Sequence, residues 1–183
     1  APTAAAIAGG AEARPRDAGR GHRANRCFWR ARVEVRCPDG RVAVLEEAGR
    51  LQNSAVVGYR EDNGGLVAVK LSHDHVSHRA WDCEFRAMAR VAAAARALLV
   101  GLPEARAEAL LESGAAADGT ETLQGLPGSP RDRLQLEAEG VRGRLEICMT
   151  EVPCLSCVCA MAQFRRRFPK VALEVAWDGM PPA

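Results

Sequence analysis

Hydrophobic and polar residues alternate along the front of the chain. The alternation runs from Cys27 to Arg36, stops at the turn-forming segment Cys37-Pro38-Asp39-Gly40, and resumes from Arg41 to Leu45. Successive side chains of a strand point to opposite faces, so this pattern predicts a β-hairpin. Two Val-rich runs, Ser54 to Tyr59 and Gly65 to Leu71, lie on either side of a second turn-forming segment and predict a further strand or hairpin.

After Asp82 the hydrophobic period changes from two residues to about 3.6. One stripe is formed by Phe85, Met88, Ala92, Ala95 and Leu99, with Arg86, Arg90 and Arg96 off it. This spacing predicts an amphipathic helix of about four turns. The segment Gly101-Leu102-Pro103 ends it, because Gly and Pro terminate helices.

The back half of the chain predicts an insertion followed by a β-α-β unit. Pro103 to Ser113 is predicted as a short helix and Gly114 to Arg131 as a loop, both within an insertion at about residues 101–143. A strand, a helix and a strand are then expected at residues 144–150, 154–168 and 171–177. Because a β-α-β crossover joins parallel strands, the fold class is α/β with a mixed sheet.

Composition fits one folded domain. The chain has 183 residues, of which 48% are hydrophobic, and its formal net charge is only +2, so the overall charge does not indicate a general polyanion binder. Residues 1–25, rich in Ala, Gly, Arg and Pro, are predicted to form a disordered tail or linker before a domain at residues 26–183. No apolar run is long enough to span a membrane, so we expect a soluble protein with no membrane partner.

The cysteine distribution points to metal binding. Seven cysteines are present, and Cys154, Cys157 and Cys159 fall within six residues, which is unusual for a framework of paired disulfides. In the segment Pro153-Cys154-Leu155-Ser156-Cys157, the two outer thiols are three residues apart at a predicted helix start, so they share one helix face. Two thiolates leave a tetrahedral zinc site in need of a third protein ligand.

Asp82 is the candidate third ligand, and Glu84 is the candidate proton carrier. Zinc-dependent nucleobase deaminases carry H-x-E followed by P-C-x-x-C, in which the Glu moves protons and is not a ligand. This chain has Asp82-Cys83-Glu84 at the corresponding place, with a carboxylate where the signature has His. Carboxylate oxygen is also a competent zinc ligand.

Several alternatives remain open for these residues. Asp82 and Glu84 are also the residue types expected at a helix N-terminus without any catalytic role. Cys154 and Cys157 also fit a purely structural zinc site or a redox pair. His75 or His78, just before Asp82, is an alternative third ligand.

Two blocks of the sequence resemble the bacterial-toxin-type branch of the zinc-dependent nucleic-acid and nucleotide (cytidine) deaminase superfamily. The first block is Asp82-Cys83-Glu84-Phe85, and the second runs from Thr150 through Gln163-Phe164 to Phe168-Pro169. The resemblance implies a three-layer α/β/α cytidine deaminase-like fold with Zn²⁺ at two helix N-termini. It also implies that Asp82, Cys154 and Cys157 hold the metal and that Glu84 is catalytic.

The expected substrate-binding residues lie in and between these blocks. Asn53-Ser54-Ala55 is similar to the N-x-A stretch of many superfamily members, in which the Asn contacts substrate, and Trp81 is the candidate for stacking on a base. His78 is expected to line the pocket. The full set of substrate-binding candidates is Asn53, Ala55, His78, Trp81, Pro153 and Ser156.

The resemblance implies hydrolytic deamination of a nucleobase, with cytosine to uracil favoured, in single- or double-stranded DNA or RNA. A toxin effector domain, acting in a target cell's cytoplasm and matched by an immunity protein, is one expected setting. Deamination of a free nucleoside or nucleotide and a non-catalytic zinc-stabilised binding module are the alternatives.

Overall fold

The computed structural model describes residues 25–52, 64–68, 82–113 and 129–178. Eight elements lie in these ranges: β1 (Arg26–Arg36), β2 (Val42–Gln52), α1 (Cys83–Leu99), α2 (Glu104–Ser113), α3 (Pro130–Gly140), β3 (Val141–Met149), α4 (Leu155–Arg167) and β4 (Val171–Trp177). No helix among the described residues is long and apolar enough to cross a membrane.

The predicted hairpin is confirmed and is longer than the alternation indicated. β1 and β2 pair antiparallel from Arg26↔Gln52 to Arg36↔Val42. The turn between them places Gly40 at a φ of 84°, a left-handed conformation that glycine adopts without a Cβ clash. Asp39 supports the turn, since its carboxylate accepts hydrogen bonds from the backbone N–H and the guanidinium of Arg41.

The sheet is mixed, as predicted. Its strand order is β2-β1-β3-β4, with β1 and β3 antiparallel and β3 and β4 parallel. β4 matches its predicted range, whereas β3 begins at Val141 and not at residue 144. The helix α4 is the crossover between the two parallel strands, so its N-terminus follows the carboxyl end of β3.

Helix α1 lies at the centre of the molecule. It contacts β1, β2 and β3 on one side and α2, α3 and α4 on others, and Arg86 is its one residue that is not fully buried. The buried surface of α1 therefore extends beyond the predicted stripe and includes Arg90 and Arg96, which lie off it. Arg90 donates to the backbone carbonyls of Glu112 and Ser113 at the end of α2, where a cation is favourable.

Part of the predicted insertion is regular structure. The short helix α2 is confirmed, and it buries Ala107, Leu110 and Leu111. The loop predicted up to Arg131 ends earlier, because α3 starts at Pro130 after the N-cap residue Ser129. Ser129 and Asp132 form a capping box in which each side chain bonds the other residue's backbone N–H.

Residues 64–68 form a turn and an irregular segment, so this part of the predicted Gly65-to-Leu71 strand is not a strand. The segment is held against α4. The Gln163 side chain donates to the Val67 carbonyl and accepts from its N–H, each at 2.9 Å, and Arg167 donates to the Gly64 carbonyl. The Ser54-to-Tyr59 strand prediction lies outside the described residues.

The described residues form two layers. Alternate residues of β1, from Cys27 to Val35, are buried under the helices. The opposite face is exposed and carries pairs of opposite charge, among them Arg144–Glu174 and Arg142–Glu34 at 2.7 Å each. The chain is therefore α/β as predicted, while the third layer of the expected three-layer fold is not observed in the described part of the chain.

Candidate metal centre

The carboxylate of Asp82 faces two cysteines instead of its own helix. Asp82 is the N-cap residue of α1 and has an extended backbone conformation, but its side chain makes no capping hydrogen bond. One of its oxygens, Oδ2, lies 3.3 Å from Cys157 Sγ and 3.6 Å from Cys154 Sγ. The simple capping interpretation of Asp82 therefore does not describe its side chain.

The two cysteines are positioned by the start of α4. Cys154 is the N-cap residue, and its sulfur accepts a hydrogen bond from the Cys157 N–H at 3.4 Å. The two sulfurs are also 3.4 Å apart, far longer than a disulfide bond of about 2.05 Å, so the two cysteines are not joined to each other. The Cys-x-x-Cys spacing thus brings both thiols to one point beside Asp82.

The separations are within about 0.4 Å of those around a tetrahedral zinc ion. With Zn–S distances of about 2.3 Å and a Zn–O distance of about 2.0 Å, ideal tetrahedral geometry gives about 3.8 Å between sulfurs and about 3.5 Å from sulfur to oxygen. The three observed separations lie between 3.3 and 3.6 Å. The donor set also fits zinc, which binds both thiolate and carboxylate. Asp82, Cys154 and Cys157 are therefore a possible metal-binding group.

Electrostatics at this point favour a cation. The pKa of Cys157 is raised above its usual value by the adjacent Cys154, by burial, and by the charges of Glu84 and Asp82. Crowded acidic groups repel one another when ionised, so without a metal the Cys157 thiol favours its protonated form. A bound divalent cation would reverse this preference by stabilising the thiolates.

Glu84 lies buried beside the ligands. It is in the first turn of α1, is only 2% exposed, and is close enough for its charge to affect Cys157. Two groups donate to the same oxygen, Glu84 Oε2: the Asn25 side-chain amide at 3.4 Å and the Cys83 thiol at 3.1 Å. The pKa of Cys83 is raised mainly by its hydrogen bond with Cys27 and secondly by burial, so its thiol remains a neutral hydrogen-bond donor.

Comparisons with protein-family models, with curated proteins and with solved structures found no match to this chain. The interpretation of the centre consequently depends on its own geometry and on the two sequence blocks that supply its residues.

Only one edge of the centre reaches the surface, because Asp82, Glu84 and Cys157 are buried. Cys154 is half-buried, and three neighbouring apolar side chains, Val152, Leu155 and Val158, are exposed. Of the two substrate-binding candidates in this block, Pro153 is half-buried and Ser156 is buried in the first turn of α4. Their roles in substrate binding stay predictions.

The remaining candidates, Asn53, Ala55, His78 and Trp81, lie outside the described residues, as does His75, the other proposed alternative ligand. The structure adds two residues that the sequence did not indicate. Asn25, placed at the end of the predicted tail, is only 8% exposed and reaches Glu84, and Thr150 donates a hydrogen bond to Asn25. Residues 1–24 lie outside the described ranges, so the tail prediction stays untested there.

Proposed function

We propose that the chain is a zinc-dependent hydrolytic deaminase of a nucleobase, with cytosine in DNA or RNA as the favoured target. The observation that carries this proposal is the convergence of Asp82, Cys154 and Cys157 at zinc-like separations beside the buried carboxylate of Glu84. This is the constellation of the deaminase signature, with Asp in place of His.

Zinc fits the three ligands, and three protein ligands leave the fourth position of a tetrahedral ion for the reaction, as in catalytic zinc sites. When bound, the metal would supply a water molecule acidified to near neutral pKa. Two thiolates, one carboxylate and Zn²⁺ sum to a charge of −1, compared with zero when His replaces Asp. When bound by this more negative set, the metal would be less electrophilic and its water would have a higher pKa than in a His-containing site.

Glu84 carries the protons in the proposed reaction. Its carboxylate accepts a proton from the attacking water, donates it to the ring nitrogen, and then delivers the second proton to the departing amine. A C–O bond forms at C4 of cytosine, the exocyclic C–N bond breaks, and ammonia leaves. The burial of Glu84 suits this role because a buried carboxylate exchanges protons at a defined place and not with bulk solvent.

A polymeric substrate is favoured over a free nucleoside by the exposed apolar side chains beside the centre. Small-molecule sites enclose most of their ligand, whereas here the half-buried Cys154 is bordered by the exposed side chains of Val152, Leu155 and Val158. Apolar side chains at this rim suit the faces of unstacked bases.

The test is ammonia release and base-change sequencing with zinc-loaded protein on single-stranded DNA, duplex DNA, RNA and free nucleosides. Glu84→Gln is expected to reduce turnover by at least about 10³-fold while retaining zinc and fold, because the general acid/base is lost and the ligands are kept. Glu112→Gln, an exposed position on α2, is the matched control and should keep full activity.

The panel also separates the alternatives. Turnover confined to nucleosides would show that the substrate is a free nucleoside and not nucleic acid. One zinc ion per chain with no turnover on any substrate would show that the protein is a zinc-stabilised binding module and not an enzyme. Full activity in Glu84→Gln would remove Glu84 from the mechanism.

A further inference from the structure

Asn25 links the start of the sheet to the carboxylate of Glu84. It precedes β1 directly, is 8% exposed, and donates from Nδ2 to Glu84 Oε2 at 3.4 Å. The two residues are 59 positions apart in the sequence, so the contact depends on the packing of α1 against the sheet. Burying either the amide or the carboxylate without a partner would cost free energy. The hydrogen bond between them therefore stabilises both groups in the interior.

Thr150 determines which way the Asn25 amide points. The Arg26 N–H donates to Thr150 Oγ1 at 3.1 Å, so this hydroxyl is already an acceptor. Its own proton is therefore directed to Asn25 Oδ1, also at 3.1 Å. With its oxygen bound to the hydroxyl, the amide presents its nitrogen to Glu84.

The same carboxylate oxygen receives a second donor. Cys83 Sγ lies 3.1 Å from Glu84 Oε2, so the amide and the thiol both bond to this one oxygen. Among the described residues, no hydrogen bond to Oε1 accompanies them. The carboxylate is thus held at one oxygen, and the other remains for proton exchange.

We propose that Asn25, oriented by Thr150, is a positioning residue that holds Glu84 Oε2 and so directs Oε1 to the reacting water and ring nitrogen. This inference rests on the proposed deaminase function. Proton transfer requires the two heavy atoms to be within hydrogen-bond reach, and small misplacements of a catalytic group lower the rate strongly. Asn25 acts through Glu84 and does not itself contact the substrate.

Steady-state kinetics on the best substrate tests the role of Asn25. Asn25→Ala is expected to lower kcat by roughly 10- to 100-fold, the range for losing one hydrogen bond to a charged group, with KM within about twofold of the parent. Zinc content should remain at about one ion per chain, because the three ligands are unchanged. A raised KM with unchanged kcat would assign Asn25 to substrate binding and overturn the proposal.

Thr150 supplies the matched pair of variants. Thr150→Ser keeps the hydroxyl and is expected to keep kcat within about twofold, whereas Thr150→Val removes the hydroxyl and should approach the loss seen in Asn25→Ala. If Asn25→Ala does not fold, this pair still decides the question by itself. Equal kcat values in the Ser and Val variants would overturn the proposed orienting role.

Infrared spectroscopy of the zinc-free protein provides a readout independent of activity. Labelling with ¹³C-glutamate and subtracting the spectrum of Glu84→Gln isolates the Glu84 carboxylate band. That band is expected to shift in Asn25→Ala and Thr150→Val but not in Thr150→Ser, because carboxylate stretching responds to hydrogen bonding. An unshifted band would overturn the inference, while a shifted band in a protein with no turnover would mean that only the proposed function has failed.

Discussion

At the scale of single residues, the centre combines residues that the sequence predicts with others that it does not. Asp82, Cys154, Cys157 and Glu84 occupy motif positions whose spacing places each at a helix start, and the structure brings them together. Asn25 and Thr150 carry no such signal. They meet because β1 and β3 pair as Cys27↔Met149, and sequence spacing alone does not give the register between strands.

The metal ligands can be tested with two cysteines of the same helix. Cys157→Ser is expected to lose most of the bound zinc, because a serine hydroxyl replaces one of three protein ligands. Cys159→Ser is the control, since Cys159 lies two residues further along α4 and is not one of the three converging residues. Metal content after dialysis against a weak chelator distinguishes them. Equal zinc in both variants would remove Cys157 from the ligand set.

At the scale of elements, the best predictions are those with a strong hydrophobic period. The sequence predicts β4 and α1 closely because their apolar residues repeat at two and at about 3.6 positions. It does not predict helix α3, which has no apolar stripe and buries only Glu137 fully. The signal that does exist is local: Ser129 as N-cap, Pro130 in the first turn and Asp132 at N3.

Glu137 links α3 to α1 and α4 through buried ion pairs. It is 1% exposed, and its carboxylate accepts from Arg167 at 2.6 and 2.7 Å and pairs with Arg96 at 3.0 Å. One negative charge thus lies between the buried guanidinium of Arg96 on α1 and the largely buried one of Arg167 on α4. Each guanidinium loses its anionic partner if this carboxylate is removed.

Glu137→Gln is therefore expected to lower the free energy of unfolding by about 3 to 5 kcal/mol, the range for removing one partner of a buried charge pair. Urea unfolding followed by circular dichroism measures it. Glu139→Gln, two residues away on the exposed side of α3, should change the free energy by no more than about 0.5 kcal/mol. A loss below about 1 kcal/mol for Glu137→Gln would show that water replaces the carboxylate.

At the scale of the whole molecule, we expect metal binding and folding to be coupled. Asp82 lies at the start of α1 and the two cysteines at the start of α4, 72 and 75 residues further along the chain, so the three side chains converge only when these helices are packed. A ligand that binds the folded state alone stabilises it by mass action, by about 2.7 kcal/mol when its concentration is 100 times the dissociation constant.

The zinc-free protein should become less stable as the pH rises above about 9. Cys157 has a folded pKa raised above its usual value of 9.0, so its contribution to stability is present below that pH and is lost as the unfolded thiol ionises. Thermal unfolding from pH 7 to 10 should show a smaller decline in Cys157→Ser than in the parent. The decline shared by both is assigned to Cys83, whose pKa is raised in the same direction.

Zinc should reverse this pH dependence, because the metal binds thiolates and competes with protons for them. The difference in melting temperature between zinc-loaded and chelator-treated protein is expected to grow as the pH rises from about 6 to 9. A difference independent of pH would indicate that the cysteines do not bind the metal as thiolates.

The pairing of β1 with β3 has a consequence for folding during synthesis on the ribosome. Asn25 and Thr150 are 125 residues apart, and Cys154 and Cys157 come later still. The hairpin β1–β2 closes over a short turn, but Asn25 cannot meet Thr150 until β3 has been synthesised. A nascent chain that has not yet reached Thr150 therefore lacks the contact that orients Asn25.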